Sequence, residues 1–94
     1  MIRRLIVFRG RVQGVGFRYR ARRAAMSYAC TGWVRNERDG SVVMEIQGTE
    51  AAIGSVILAV QDGRYVQILS MKSRIIPVIE GEQGFKTCYP GKST

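Results

Sequence analysis

The sequence predicts an α+β sandwich of order βαββαβ, an antiparallel sheet with two helices on one face and a short strand added at the end. Three observations lead there. Apolar alternation over residues 3 to 9 gives way at Phe17 to a helical period. An Asp39-Gly40 pair divides two further alternating runs. A second helical stripe after Thr49 is followed by a long branched run that stops at Pro77.

Taken in order, residues 3 to 9 place Arg4, Ile6 and Phe8 on one side and Leu5 and Val7 on the other. Both sides carry apolar groups, which suits an interior strand. Gly10 to Gly16 reads as a glycine-punctuated loop. Phe17, Ala21, Ala24, Ala25 and Tyr28 then form one stripe, predicting a helix from Phe17 to Ala29 with Tyr28 in the core. Gly32 to Asn36, with Trp33 also read as core, and Ser41 to Gln47 are strands. Glu37-Arg38-Asp39-Gly40 joins them, Asp-Gly supplying the positive φ that a tight turn requires.

Thr49 is placed to cap a helix with the stripe Ile53, Val56, Ile57 and Val60, stopping near Asp62-Gly63. Gly54 weakens it by about 1 kcal/mol relative to alanine. Arg64 to Ile76 reads as a long strand, bulged near Ser70 where the alternation slips. Glu80 to Gly84 is a loop. Phe85, Thr87 and Tyr89 alternate with Lys86 and Cys88 as a last strand before the polar tail Pro90 to Thr94. Two helices set among strands in this order make a ferredoxin-like fold. One domain is expected over residues 1–94.

Composition narrows the partners. The 94 residues are 46% hydrophobic, enough for one core. Net charge is +8, and nine arginines precede the first carboxylate, Glu37. Such a field attracts anions, whether nucleic acid, acidic lipid or small phosphorylated metabolites. With no histidine and no CxxC pair, the usual zinc spacings are missing and no metal is expected. Cys30 and Cys88 read as two free, buried thiols, a disulfide being open to them only if they meet in space. The apolar start is too short for a signal segment, and no run approaches the ~20 apolar residues of a membrane span. A cytoplasmic monomer with no membrane association is expected.

The stretch Gln13-Gly14-Val15-Gly16-Phe17-Arg18 carries the chemistry. Glycines at 14 and 16 permit a sharp bend in which successive N–H groups converge on an anion. The helix N-terminus adds partial positive charge at the same place. Arg18 in the first turn offers a planar fork of donors to two phosphate oxygens. No Lys-Ser or Lys-Thr follows these glycines, so this is no Walker A loop. The residue three positions after Gly16 is not glycine, so it is no dinucleotide fingerprint either. Arg9, Arg11, Arg20, Arg22, Arg23 and Arg35 read as a solvated basic rim.

Val12-Gln13-Gly14-Val15-Gly16-Phe17-Arg18, then Thr31-Gly32-Trp33-Val34-Arg35-Asn36 and Asp39-Gly40-Ser41-Val42, resemble the three linked blocks of the acylphosphatase family. The likeness extends over nearly the whole chain. Cys88 stands where a basic residue is common, and Gln61 to Val66 lacks the proline-containing turn of many members. The resemblance implies hydrolysis of acyl phosphates to carboxylate and inorganic phosphate without metal or cofactor. By matching positions, Arg18 would bind the phosphate, the amides of residues 13 to 18 would wrap it, and Asn36 would hold the attacking water.

That chemistry is consistent with the residues available. The leaving group is a carboxylate of pKa ~4, so no strong general acid is needed. Placing water and stabilising the phosphoryl group are what remain, and an arginine, amides and one neutral side chain can supply both. Two alternatives stay open. A basic nucleic-acid-binding module shares the topology, although Gly16-Phe17-Arg18-Tyr19 is expected at a loop-to-helix junction and not on a central strand. A non-catalytic domain of the same family would only bind a phosphorylated ligand or a partner protein.

Overall fold

The computed structural model describes residues 1–88. Its elements are β1 (Ile2–Arg11), α1 (Phe17–Ser27), β2 (Thr31–Asn36), β3 (Val42–Gly48), α2 (Glu50–Gln61), β4 (Gln67–Ile76) and β5 (Phe85–Cys88). The expected continuation to Tyr89 and the tail lie outside the described residues.

The sheet order is β4-β1-β3-β2-β5. Alternation drives one face inward: Ile6 and Phe8 of β1, Val34 of β2, and Val42, Met44 and Ile46 of β3 are fully buried. They share one core with Phe17, Ala21 and Ala25 of α1 and Ile53, Val56 and Val60 of α2, so both helices cover that face. The ferredoxin-like expectation holds, with one correction. Pairings among β1 to β4 are antiparallel, but β5 runs parallel to β2, from Gly32 opposite Phe85 to Arg35 opposite Cys88, which makes the sheet mixed. The segment between β4 and β5 returns to the ends where β4 finished and β2 began, so β5 must set off in the same direction as β2.

That segment is held at the face without helices. Arg3, fully buried, donates from Nε to Glu45 Oε1 at 2.9 Å, from Nη1 to Glu82 Oε1 at 2.6 Å, and from Nη2 to Glu82 Oε2 at 3.1 Å. The Gln47 amide exchanges bonds with Ile79, N to Oε1 at 2.8 Å and Nε2 to O at 2.9 Å. Burial alone would raise the Glu82 carboxyl, but the bonds and charge of Arg3, with a bond from Thr31 and the charge of Lys86, outweigh it and hold it below the usual carboxylate range. This node lies at the opposite end of the strands from the β1–α1 loop.

Local signals read from the sequence are visible in detail. Thr49 Oγ1 accepts from Ala52 N at 3.1 Å, capping α2. Gly40 has φ +92° in the β2–β3 turn. The β1–β4 register shifts between Arg9 and Gly10, opposite Ser70 and Ile68, which is the expected bulge.

Two core expectations fail. α1 ends at Ser27 and not Ala29, because Ala29 turns to φ 56° and Cys30 N closes back onto Ala25 O at 2.8 Å. Tyr28 therefore leaves the helical stripe and is 48% exposed. Trp33, out of phase with buried Val34, faces away from the helices and is half-buried, with the Arg35 guanidinium 4.8 Å from its ring centre. Cys30 and Cys88 are both buried and free, and burial pushes the Cys30 thiol up.

Candidate active site

The loop from β1 to α1 is shaped by alternating backbone handedness. Gly14 has φ +70° and Gly16 φ +79°, while Val15 between them keeps negative φ. A Cβ at either glycine would meet nothing within 4 Å, so conformation and not crowding requires glycine there. Successive N–H groups in such an alternation point to one side as an anion nest.

α1 then starts with no side-chain cap and no acidic residue in its first turn. Its first intrahelical bond runs from Arg20 N to Gly16 O at 3.0 Å, so the amides of Phe17, Arg18 and Tyr19 precede the ladder. The positive end of the helix is left facing the same concavity. Phe17 fixes this turn from behind, its ring centre 4.8 Å from that of Phe8.

A cleft of about 370 Å³ opens over the loop, lined by Gly14, Gly16, Arg18, Arg22, Asn36 and Thr87 among others. The topology explains the convergence, because β1 ends, α1 begins, β2 ends and β5 ends at this side of the sheet. Arg18 Nη1 donates to Cys88 O at 3.4 Å, tethering the guanidinium to β5. Asn36 is the last residue of β2, and its Oδ1 is buried with no hydrogen-bond partner among the described residues. None of the lining residues is a carboxylate.

Of the expected site residues, Gly14, Gly16, Phe17, Arg18 and Asn36 come together at the cleft; the side chains of Gln13 and Val15 do not line it. Val15 packs against the core. Gln13 reaches the β2–β3 turn, where Nε2 donates to Glu37 O at 2.7 Å and Ser41 O at 2.9 Å. The turn is itself locked by Asp39, whose Oδ1 accepts from Ser41 N at 2.9 Å and Ser41 Oγ at 2.6 Å. These bonds, with a further one from Arg9, hold the Asp39 carboxyl at about 2.

Sequence reasoning missed Arg22, Tyr19 and Thr87 as lining residues. Arg22 had a signal: it follows Arg18 by four positions, hence lies on the same helix face. Arg20 and Arg35, assigned to a solvated rim, are both engaged. Arg20 donates from Nε and Nη2 to Ala59 O at 3.2 and 3.1 Å, joining α1 to α2. Arg35 pairs with Glu37 at 2.8 Å.

Fold and cleft together define a ferredoxin-like α+β protein with an anion-receptive loop at a helix N-terminus. The acylphosphatase family model matches residues 4–87, and the chain belongs to the acylphosphatase family. It is 40% identical over 90 residues to an acylphosphatase of Clostridium acetobutylicum, covering 95% of this chain and 99% of that protein. A Clostridium beijerinckii acylphosphatase is 37% identical over 90 residues, covering 95% of this chain and all of the relative. The crystal structure of acylphosphatase from Bacillus subtilis superposes with a TM-score of 0.86 at 34% identity, over 95% of this chain and 100% of that one.

Proposed function

We propose that this enzyme hydrolyses the carboxyl–phosphate anhydride bond of acyl phosphates, giving carboxylate and inorganic phosphate, as a single-domain cytoplasmic monomer using no metal or cofactor. The observation that carries the reading is the meeting, in one cleft, of the Arg18 guanidinium, the open α1 N-terminus and the unpartnered Asn36 Oδ1.

The phosphoryl group lies in the nest, its oxygens taking the N–H groups of residues 13 to 18 and the fork of Arg18. Asn36 Oδ1 accepts a hydrogen bond from the attacking water and aims its oxygen at phosphorus; being neutral, it does not repel the anion. As the new P–O bond forms, the bond to the acyl oxygen breaks and the carboxylate leaves with its electron pair. Among the described residues no carboxylate lines the cleft to act as base, so the water's proton passes to a phosphate oxygen or to solvent. Charge developing on the phosphoryl oxygens is met by donors already in place, the largest contribution in such reactions.

The nucleic-acid reading loses support from the same geometry. Gly16-Phe17-Arg18-Tyr19 lies at the loop-to-helix junction, and the open face of central strands β1 and β3 presents Leu5, Val7, Val43 and Glu45 and no aromatic ring, while Trp33 on neighbouring β2 has the Arg35 guanidinium over its ring.

The test is hydrolysis of benzoyl phosphate with excess chelator. Turnover is expected to persist, and Arg18→Ala to reduce it by about 10³-fold or more with an unchanged circular dichroism spectrum. Chelator-sensitive turnover, or an active Arg18→Ala protein, would refute the reading.

A further inference from the structure

Two arginines reach the cleft from one face of α1. Arg18 and Arg22 are four residues apart, so their Cβ atoms stand about 6 Å from each other along the helix. The hydrolysis proposed above occupies only Arg18. Arg22 lines the same cavity. It donates from Nε to Phe85 O at 3.3 Å, which leaves its terminal nitrogens without a protein acceptor among the described residues. Ion pairs among the described residues engage Arg3, Arg4, Arg9 and Arg35, and neither cleft arginine belongs to one. Among the described residues the site thus holds two guanidinium groups and no carboxylate.

β5 sets their spacing. Arg18 leans on Cys88 O and Arg22 on Phe85 O, three residues apart on one strand, or about 10 Å. Thr87, between these two anchors, lines the cleft. With phosphate at Arg18, a second anion at Arg22 would sit roughly 6–10 Å away along the cleft floor. A four-carbon diacid bearing phosphate at one end spans about 7 Å from phosphorus to its far carboxylate, at ~1.5 Å a bond with its zigzag allowed for.

We propose that Arg22 is a specificity-determining residue, holding an anionic group at the far end of the acyl chain. The enzyme then selects short acyl phosphates whose acyl part ends in a carboxylate or a phosphate, over neutral acyl phosphates of equal length. This rests on the hydrolase reading above. The reaction that supplies such a substrate is one that phosphorylates a carboxylate of a small diacid or of a phosphorylated acid.

Succinyl phosphate and butyryl phosphate make a matched pair, four carbons each, differing in the terminal anion. The quantity to measure is the ratio of their kcat/KM values. For the unmodified enzyme at low salt the ratio is expected to be about ten or more, as one charge-assisted contact gives, and to shrink in 0.5 M salt. Arg22→Gln is expected to bring it near one, mainly through KM for succinyl phosphate. Arg22→Lys should keep part of the preference, and Arg22→Glu should push the ratio below one.

A ratio unchanged by Arg22→Gln, or no preference in the unmodified enzyme, would overturn the assignment while leaving the hydrolase reading intact. Hydrolysis of neither compound would overturn both.

Discussion

Replacing Asn36 with alanine separates what this residue does for the fold from what it does for the reaction. Its Oδ1 is buried without a partner among the described residues. A buried acceptor left unbonded costs about 1–3 kcal/mol, so truncation removes that cost. Lost packing of one carbon opposes it by about 0.8 kcal/mol. The balance lies between about 0 and 2 kcal/mol in favour of the variant. For a chain of this size that raises Tm by at most about 16 °C.

Activity moves the other way. Losing placement of the nucleophile is expected to lower kcat by about 10²–10³-fold, while inorganic phosphate inhibits the variant within threefold of the original constant. The assays are benzoyl phosphate kinetics, phosphate inhibition and a thermal melt on the same preparation. A fall in Tm of several degrees would refute the reasoning, since it would mean that Oδ1 is bonded to another group of the folded protein. Equal loss of phosphate affinity would make Asn36 an anion ligand and not a holder of water.

Gly16→Ala is expected to cost about 1–2 kcal/mol, because φ +79° forces a side chain into the left-handed region; phosphate inhibition weakens with it. Gly16→Asn should recover part of both, and an alanine variant of unchanged affinity would remove the nest from the account. Arg3→Met deprives the Glu45 and Glu82 carboxylates of the cation they share. Both are partly open to solvent, which reduces the usual cost of a broken buried pair to about 2–3 kcal/mol and lowers Tm by about 10–20 °C. Turnover at 25 °C should persist, because the node lies at the far end of the strands, and a Tm within 3 °C of the original would show the pairing to be idle.

Asp39 supplies a pH dependence. Its carboxyl is held at about 2 against an ordinary 3.8, first by the Ser41 hydroxyl and amide and then by Arg9. A depressed folded pKa adds stability that is present above the ordinary value and lost as pH falls through about 2. Tm of the protein should therefore drop between about pH 4 and 2 by more than that of Asp39→Asn. Parallel curves would contradict the assignment.

What the sequence disclosed and what it hid divide on physical lines. The Asp39-Gly40 turn, the Thr49 cap, the bulge near Ser70 and the glycines of the nest are short-range requirements, each written in a few neighbouring residues. Arg18 and Asn36 were legible for the same reason, as parts of contiguous blocks. Arg3 was not, since its burial depends on Glu45 and Glu82, 42 and 79 positions away. The parallel course of β5 was hidden too, because only the path of the preceding loop decides it. Trp33 and Tyr28 misled because periodicity placed both on apolar faces, whereas the actual strand phase and a left-handed Ala29 set their exposure. Arg22 looked like one more surface charge until β5 brought Phe85 beside it.

The amide of Gln13 has a consequence for how the molecule tolerates motion. Two carbonyls of the hairpin, Glu37 O and Ser41 O, hang from one nitrogen of the segment proposed to receive the anion. Sway in the hairpin is thereby passed to that segment and not taken up between them. On the proposed reading, the distance between the water at Asn36 and the phosphorus is then held in part by this link and in part by the Arg9–Asp39 pair, which ties the same turn to β1.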